Sequence, residues 1–361
     1  MITAFLNAQL QKRKTQGTLR TLPSAQGLVD LTSNDYFGFA HARELPHKEA
    51  CQIGATGSRL LTGNHPFFEK LESKIAHFHK AESCLIYNTG YTANLGLIAA
   101  LSTPETTFVY DLEIHASMID GMHLGKSKSV PFRHNNLHSL EKKLQEASPP
   151  VFVLVESIYS ISGDFAPLIE IAALCKRYEA ALIVDEAHAT GFCGPRGIGH
   201  VAELALESQV FARIHTFSKA LGSHGACVLG SLMLKEYLLN FSRPWIYTTA
   251  LPISSLTFID IGYEKLEKEA HLHQKRLKLL ISYFQKKLGV QGSQTPIQPI
   301  YISGIEKVRQ LSLKLQQHGL DVRSIVSPTT KRGKECLRVV LHSFNQEEEI
   351  DQLEKVLRCN V

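Results

Sequence analysis

The chain lacks most of what marks a secreted, membrane or nucleic-acid-binding protein. Its seven cysteines are scattered through 361 residues without a Cys-x-x-Cys pair, so neither a disulfide framework nor a structural zinc is expected. No apolar stretch reaches the length of a membrane span. No secretory leader pattern is present, and with the cysteine usage this points to a reducing cytoplasm. Formal net charge is only +5, with no long Lys/Arg block, which gives nucleic acid no footprint. Seventeen histidines contain no His-Glu-x-x-His spacing, so no metal is expected. A Gly-x-Gly-x-x-Gly fingerprint is also missing, which disfavours a dinucleotide site. Residues 1–29 lack acids altogether and carry Lys12, Arg13, Lys14 and Arg20, as a transit peptide would. Few serines and the spacing of Phe5, Leu6 and Leu10 favour an amphipathic helix with those residues buried.

What is present is an alternation of strands and helices. Apolar runs recur at Leu85–Tyr87, Phe108–Tyr110, Val151–Val155, Leu182–Val184, Val210–Ile214 and Ala226–Leu229. They are apolar throughout rather than alternating, as strands buried on both faces of a mainly parallel sheet are. Helical spacing separates them, as in Pro66–Ala81 and Ile169–Glu179. Near Leu251 the pattern changes to a long helix-prone stretch, then short strands and helices. The expectation is an α/β protein with an N-terminal helix and arm (1–40), a large domain (41–250) and a small α/β domain (251–361). Ligands of such a sheet bind at the carboxyl ends of its strands.

Two of those ends carry chemistry. One run ends in Asp185-Glu186-Ala187-His188, and another leads into Thr216-Phe217-Ser218-Lys219. A strand-end acid and a strand-end lysine together suit pyridoxal 5′-phosphate (PLP), since the lysine bonds the aldehyde and the acid keeps the pyridine nitrogen protonated. Upstream, Asn88-Thr89-Gly90-Tyr91 follows a strand and opens a helix, where backbone N–H groups bind phosphate. His115 follows another strand and is either a ring-stacking imidazole or a hydrogen-bonded core histidine. Glu156 to Asp164 leaves a further strand and offers hydroxyl donors, or is simply a polar loop.

The chain resembles the α-oxoamine synthases, PLP enzymes of the aspartate aminotransferase fold (fold type I), from Arg20 into the C-terminal domain. The motifs that carry the resemblance are Ser33-Asn34-Asp35-Tyr36-Phe37-Gly38, Gly57-Ser58-Arg59 with Thr62-Gly63-Asn64, Thr89-Gly90-Tyr91 and His115-Ala116-Ser117. Asp185-Glu186-Ala187-His188-Ala189-Thr190-Gly191, Thr216-Phe217-Ser218-Lys219-Ala220-Leu221-Gly222 and Ile246-Tyr247-Thr248-Thr249 complete it. The chain departs from many relatives in having Ser218 where they have glycine, and in being shorter.

The resemblance implies that Lys219 bonds the cofactor and Asp185 pairs with its ring nitrogen. It implies that His188 and Ser160 approach the ring hydroxyl, that His115 stacks on the ring, and that Gly90, Tyr91 and Thr216 hold the phosphate. Glu156 matches an acid near the cofactor with no fixed role. Thr248 and Thr249 match a segment that reaches the phosphate from a partner subunit, which implies a homodimer. Arg20, Asn34 and Arg338 match positions associated with substrate carboxylates, and Thr329 one near the acyl chain. The wording around His224-Gly225-Ala226 is similar to members that condense L-alanine with a pimeloyl thioester. Members using glycine with acetyl-CoA or succinyl-CoA, or serine with palmitoyl-CoA, share the same catalytic set and stay as alternatives. CoA and an acyl carrier protein both remain open as the thioester carrier. A non-catalytic member of the group would lack the lysine, and Lys219 argues against that reading.

Overall fold

The computed structural model describes residues 2–20, 27–41 and 54–359. Cys51 lies outside these residues, and the other cysteines are free. The strands in chain order are β1 (Val29–Asp30), β2 (Ser83–Tyr87), β3 (Thr107–Asp111), β4 (Lys128–Phe132), β5 (Val151–Glu156) and β6 (Ala181–Asp185). They continue with β7 (Ala212–Thr216), β8 (Ala226–Gly230), β9 (Ile297–Tyr301), β10 (Leu320–Asp321), β11 (Arg323–Ile325) and β12 (Cys336–Val340).

The chain divides into two compact units. The larger holds Phe37–Ser160 and Asp164–Lys275, and the smaller Met1–Tyr36, Ile161–Gly163 and Arg276–Val361. The division falls inside the helix Ile253–Leu288 rather than at Leu251, and the N-terminal arm counts with the C-terminal segment. A long helix gives no local break in sequence, so its membership of both units is invisible there.

The larger unit is built on a seven-stranded sheet in the order β2-β8-β7-β6-β5-β3-β4. Only β8 runs against its neighbours; β7, β6, β5, β3 and β4 pair in parallel. β2, β5 and β7 are buried along their whole length; β2 and β5 accordingly read as largely apolar runs, whereas β7 buries Arg213, His215 and Thr216 among its apolar residues. β4 was not foreseen: it is the outermost strand, largely exposed, with Pro131 inside it. A polar edge strand with proline is how sheets blunt an edge, and it carries no apolar signature.

The helix Gly90–Leu101 is apolar nearly all round and mostly buried, as a helix lying within a core must be. Asn94 is its buried polar exception. The helix Ile2–Thr15 corrects an expectation. It forms, but none of its residues is buried, and Phe5 and Leu10 are 62% and 54% exposed. Apolar residues at helical spacing do not say what will cover them, and among the described residues nothing buries these. The smaller unit has a three-stranded antiparallel sheet, β11-β12-β9, and a parallel pair, β1 with β10.

Candidate active site

Because β2, β3, β5, β6 and β7 all run the same way, their carboxyl ends share one edge of the sheet. The register makes this concrete. Glu156, last in β5, is the partner of Asp185, last in β6; Thr216, last in β7, is paired with Ala226, which is paired in turn with Tyr87, last in β2. The candidates Gly90, Glu156, Asp185 and Thr216 are therefore assembled by topology alone.

Asp185 is 5% exposed. Its Oδ2 accepts a hydrogen bond from Asn94 Nδ2 at 2.7 Å and its Oδ1 one from the Ala187 amide at 2.9 Å. The same Asn94 nitrogen donates to Ser117 Oγ at 3.0 Å. His115 Nδ1 accepts from the Ser117 amide at 3.2 Å, so the hydroxyl of Ser117, 2.7 Å away, donates to it as well. The imidazole proton then sits on Nε2. A continuous donor–acceptor chain thus joins Asp185 to His115. Burial lowers the pKa of His115; the charge of Asp185 opposes this and that of Lys219 reinforces it, so the ring is neutral at pH 7.

Glu156 is buried as well, and burial together with the charge of Asp185 raises its pKa well above the carboxylate range, while Lys219 acts the other way. Its carboxyl accepts hydrogen bonds from the backbones of Ser160 and His115, and Oε1 has no partner within the chain. Lys219 lies three residues beyond β7, half-buried, and its charge reaches both His115 and Glu156. Its carbonyl accepts from the Gly222 amide at 2.8 Å. Gly222 has φ +60° and would put a Cβ 2.2 Å from the Ala40 amide, so only glycine closes this turn. Ser218, in place of the commoner glycine, bonds the Thr216 hydroxyl at 3.0 Å.

Thr89 caps the helix Gly90–Leu101, its side chain accepting from the Thr92 amide. The amides of Gly90 and Tyr91 fall in the first turn, where a helix has no carbonyl of its own for them. A Cβ on Gly90 would lie 3.4 Å from Thr216 Oγ1, which sets that hydroxyl beside the helix start. Tyr91 sets its ring edge toward His115, with centroids 6.3 Å apart. Asn88 holds Thr248 Oγ1 at 3.3 Å and the Thr249 carbonyl at 2.8 Å, within the same chain. His188 is buried and Ser160 half-buried.

The residues matched to substrate carboxylates divide. In the smaller unit Arg338 Nη2 donates to Asn34 Oδ1 at 3.1 Å, and burial lowers the pKa of Arg338. Arg20 and Thr329 are exposed, and no bond joins them to that pair. Arg59 turns out to be structural: it pairs with the buried Glu72 and stacks on Phe68 with its guanidinium 4.1 Å from the ring. One possible metal group exists among the described residues, Cys193, His200 and Glu203, with ligand atoms within 4.8 Å of one another; the spacing in sequence did not reveal it. Sequence reasoning assigns no role to Asn94 or Ser117. A lone amide inside the apolar helix Gly90–Leu101 was the signal available for Asn94.

Comparison with known proteins bears on family and fold. The family model for aminotransferases of class I and II matches residues 26–357. The 8-amino-7-oxononanoate synthase of Emericella nidulans is 39% identical over 93% of this chain and 89% of its own. The chain belongs to the class I and II aminotransferase family, among the 8-amino-7-oxononanoate synthases. Two solved members of the same family show its fold. A lysine-to-alanine variant of serine palmitoyltransferase from S. paucimobilis, with a bound PLP–myriocin aldimine, has a TM-score of 0.87 at 28% identity, covering 98% of this chain and 97% of its own. The 8-amino-7-oxononanoate synthase of Francisella tularensis has a TM-score of 0.80 at 27% identity, covering 91% and 96%.

The network around Asp185 yields a direct test. In Asn94→Leu the buried carboxylate loses its side-chain donor, and a hydrogen bond to a charged group contributes about 1.5–3 kcal/mol. Denaturant unfolding of the cofactor-free protein should show a loss of that order. A change below about 0.5 kcal/mol would mean that water replaces the amide at no cost.

Proposed function

We propose that this protein is a PLP-dependent acyltransferase that condenses L-alanine with a pimeloyl thioester. The products are 8-amino-7-oxononanoate, CO2 and the free thiol, in a step of biotin synthesis. The observation that carries the reading is the buried carboxylate of Asp185, tied through Asn94 and Ser117 to a neutral His115 and sharing its surroundings with the charge of Lys219. Two further features fit the cofactor. The helix start at Gly90 faces the Thr216 hydroxyl, as a phosphate cradle requires, and the buried Glu156 Oε1 has no partner in the chain.

When bound, PLP supplies a reactive aldehyde and an electron-accepting pyridine ring. Lys219 is the residue that would hold the aldehyde, and its amine, when free and neutral, would be the base for the proton on the alanine Cα. Asp185 keeps the pyridine nitrogen protonated, and a carboxylate fixed by two donors needs no reorganisation to do so. His115 presents a neutral, flat imidazole to the ring. Gly90, Tyr91 and Thr216 take the phosphate, with Thr248 and Thr249 contributed by the partner subunit of a homodimer. His188 and Ser160 serve the ring hydroxyl. By resemblance, Arg338 with Asn34 is assigned to the α-carboxylate of alanine, and Arg20 and Thr329 to the acyl donor.

The dimer has support in the uncovered apolar side chains of the helix Ile2–Thr15. A cytoplasmic location is in keeping with the free thiols of the described cysteines. The exposed Lys126, Lys128 and Arg133 suit the phosphates of CoA or of an acyl carrier protein.

Serine palmitoyltransferase has the higher TM-score of the two solved relatives, which makes serine with palmitoyl-CoA the competing substrate pair. CO2 release measured for alanine, glycine and serine against pimeloyl, acetyl and palmitoyl thioesters separates the two. Alanine with a pimeloyl thioester should give the highest kcat/KM; a better kcat/KM for any other pair overturns the substrate assignment. Asp185→Asn should keep the fold and lose about 10²–10⁴ in kcat, the range of electrostatic and general acid–base contributions. A loss below about threefold would reduce Asp185 to a turn residue.

A further inference from the structure

His134 is used by none of the roles above. It follows β4, in a turn where Asn135 takes φ +51°. Both of its ring nitrogens face carboxylates. Nδ1 lies 2.9 Å from Asp111 Oδ1, and Nε2 lies 2.8 Å from Asp164 Oδ2. An imidazole that donates from both nitrogens is a cation. The next residue repeats the bridge: the Asn135 amide donates to Asp111 Oδ2 at 2.8 Å, and its side chain to Asp164 Oδ2 at 2.8 Å and the Phe165 carbonyl at 3.0 Å.

The two carboxylates belong to different loops of the candidate site. Asp111, fully buried, ends β3 and also receives the Glu113 amide at 2.8 Å, which fixes the turn leading to His115. Asp164 closes the loop that carries Ser160, its carbonyl accepting from the Tyr159 amide at 3.0 Å. The ring of Tyr159 stands edge-on to His134, centroids 4.4 Å apart. Glu156 accepts from the backbones of His115 and Ser160, so it ties the same two loops together a second time.

We propose that His134 is a positioning residue, a cationic staple that holds the loops bearing His115 and Ser160 in register for the cofactor, and that its charge rather than its shape is what the site requires. The inference rests on the reading of the site as a PLP site. Burial opposes the charged form of His134, but its hydrogen bonds to Asp111 and Asp164, and the charges of these two acids, outweigh burial and raise its pKa to about 10. The other groups facing it are the carboxylate of Glu113, 3.8 Å from Nε2, and the phenol of Tyr159. A histidine whose pKa is raised on folding stabilises fully below its ordinary value of about 6.5. That contribution falls away as pH rises through about 10.

The test compares His134→Gln, which is neutral, with His134→Arg, which restores a charge able to bridge two carboxylates. PLP is titrated into cofactor-free protein from pH 7 to 10.5, beside steady-state kinetics with alanine. His134→Gln should weaken PLP binding about tenfold or more and lower kcat by a similar factor, with the KM for alanine changed less than about threefold. His134→Arg should recover most of both losses. Relative to His134→Arg, wild-type affinity for PLP should decline as pH approaches 10.5. Wild-type PLP affinity in His134→Gln, or no recovery in His134→Arg, overturns the proposal. If His134→Gln does not fold, Asp164→Asn replaces it: weaker PLP binding supports the staple, and unchanged binding overturns it. Failure of the wild type itself to bind PLP would sink the functional reading instead.

Discussion

A carboxylate buried at the end of a strand is the constraint on which the rest of this structure depends. Asp185 cannot be left without donors, because an ionised group out of water is costly unless it is hydrogen-bonded or paired. One donor comes from its own turn, the amide of Ala187. The other must come from elsewhere, and it is the single buried amide of an otherwise apolar helix. Packing that helix so that Asn94 reaches Asp185 also brings its first turn, at Gly90, against Thr216. One packing arrangement thus sets both Asp185 and the Gly90–Thr216 pair, the groups proposed for the ring nitrogen and the phosphate.

The second carboxyl at the edge makes the arrangement selective. Glu156 and Asp185 are register partners on adjacent strands, about 5 Å apart in the pairing direction. Burial raises the pKa of Glu156, and the like charge of Asp185 raises it further. The positive charge that relieves them is that of Lys219, and a protonated pyridine would add to it. His115, held neutral by burial and by its hydrogen bonds to Ser117, contributes no competing cation. An edge with two acids, one lysine and a neutral imidazole is suited to a cationic heterocycle that carries its own phosphate.

Much of this was legible in sequence, for identifiable reasons. Strands buried on both faces announce themselves as continuous apolar runs, and so β5 was recognisable, whereas β7 carries Arg213 and His215 between its apolar residues. The exposed edge strand β4, with Lys128 and Pro131, has no such pattern. Asp185 and Lys219 drew notice only as an ordered pair at two strand ends, since a strand-end acid alone reads as a turn residue and a lysine alone as surface charge. Asn94 and His134 were not. Asn94 meets Asp185 across 91 residues, and His134 meets Asp164 across 30, so their roles exist only after folding. The helix Ile2–Thr15 shows the converse: the helix expected from Phe5, Leu6 and Leu10 forms, but it has no pronounced apolar face and none of its residues is buried.

The central claim is that Lys219 sits where a PLP aldehyde is held between Asp185 and the Gly90–Thr216 cradle. The most direct measurement is borohydride reduction of the yellow holoenzyme, followed by proteolysis and mass spectrometry of the labelled peptide. The account predicts one phosphopyridoxyl group per chain, carried on Lys219. A label spread over surface lysines, or fixed on any other single lysine, would contradict it.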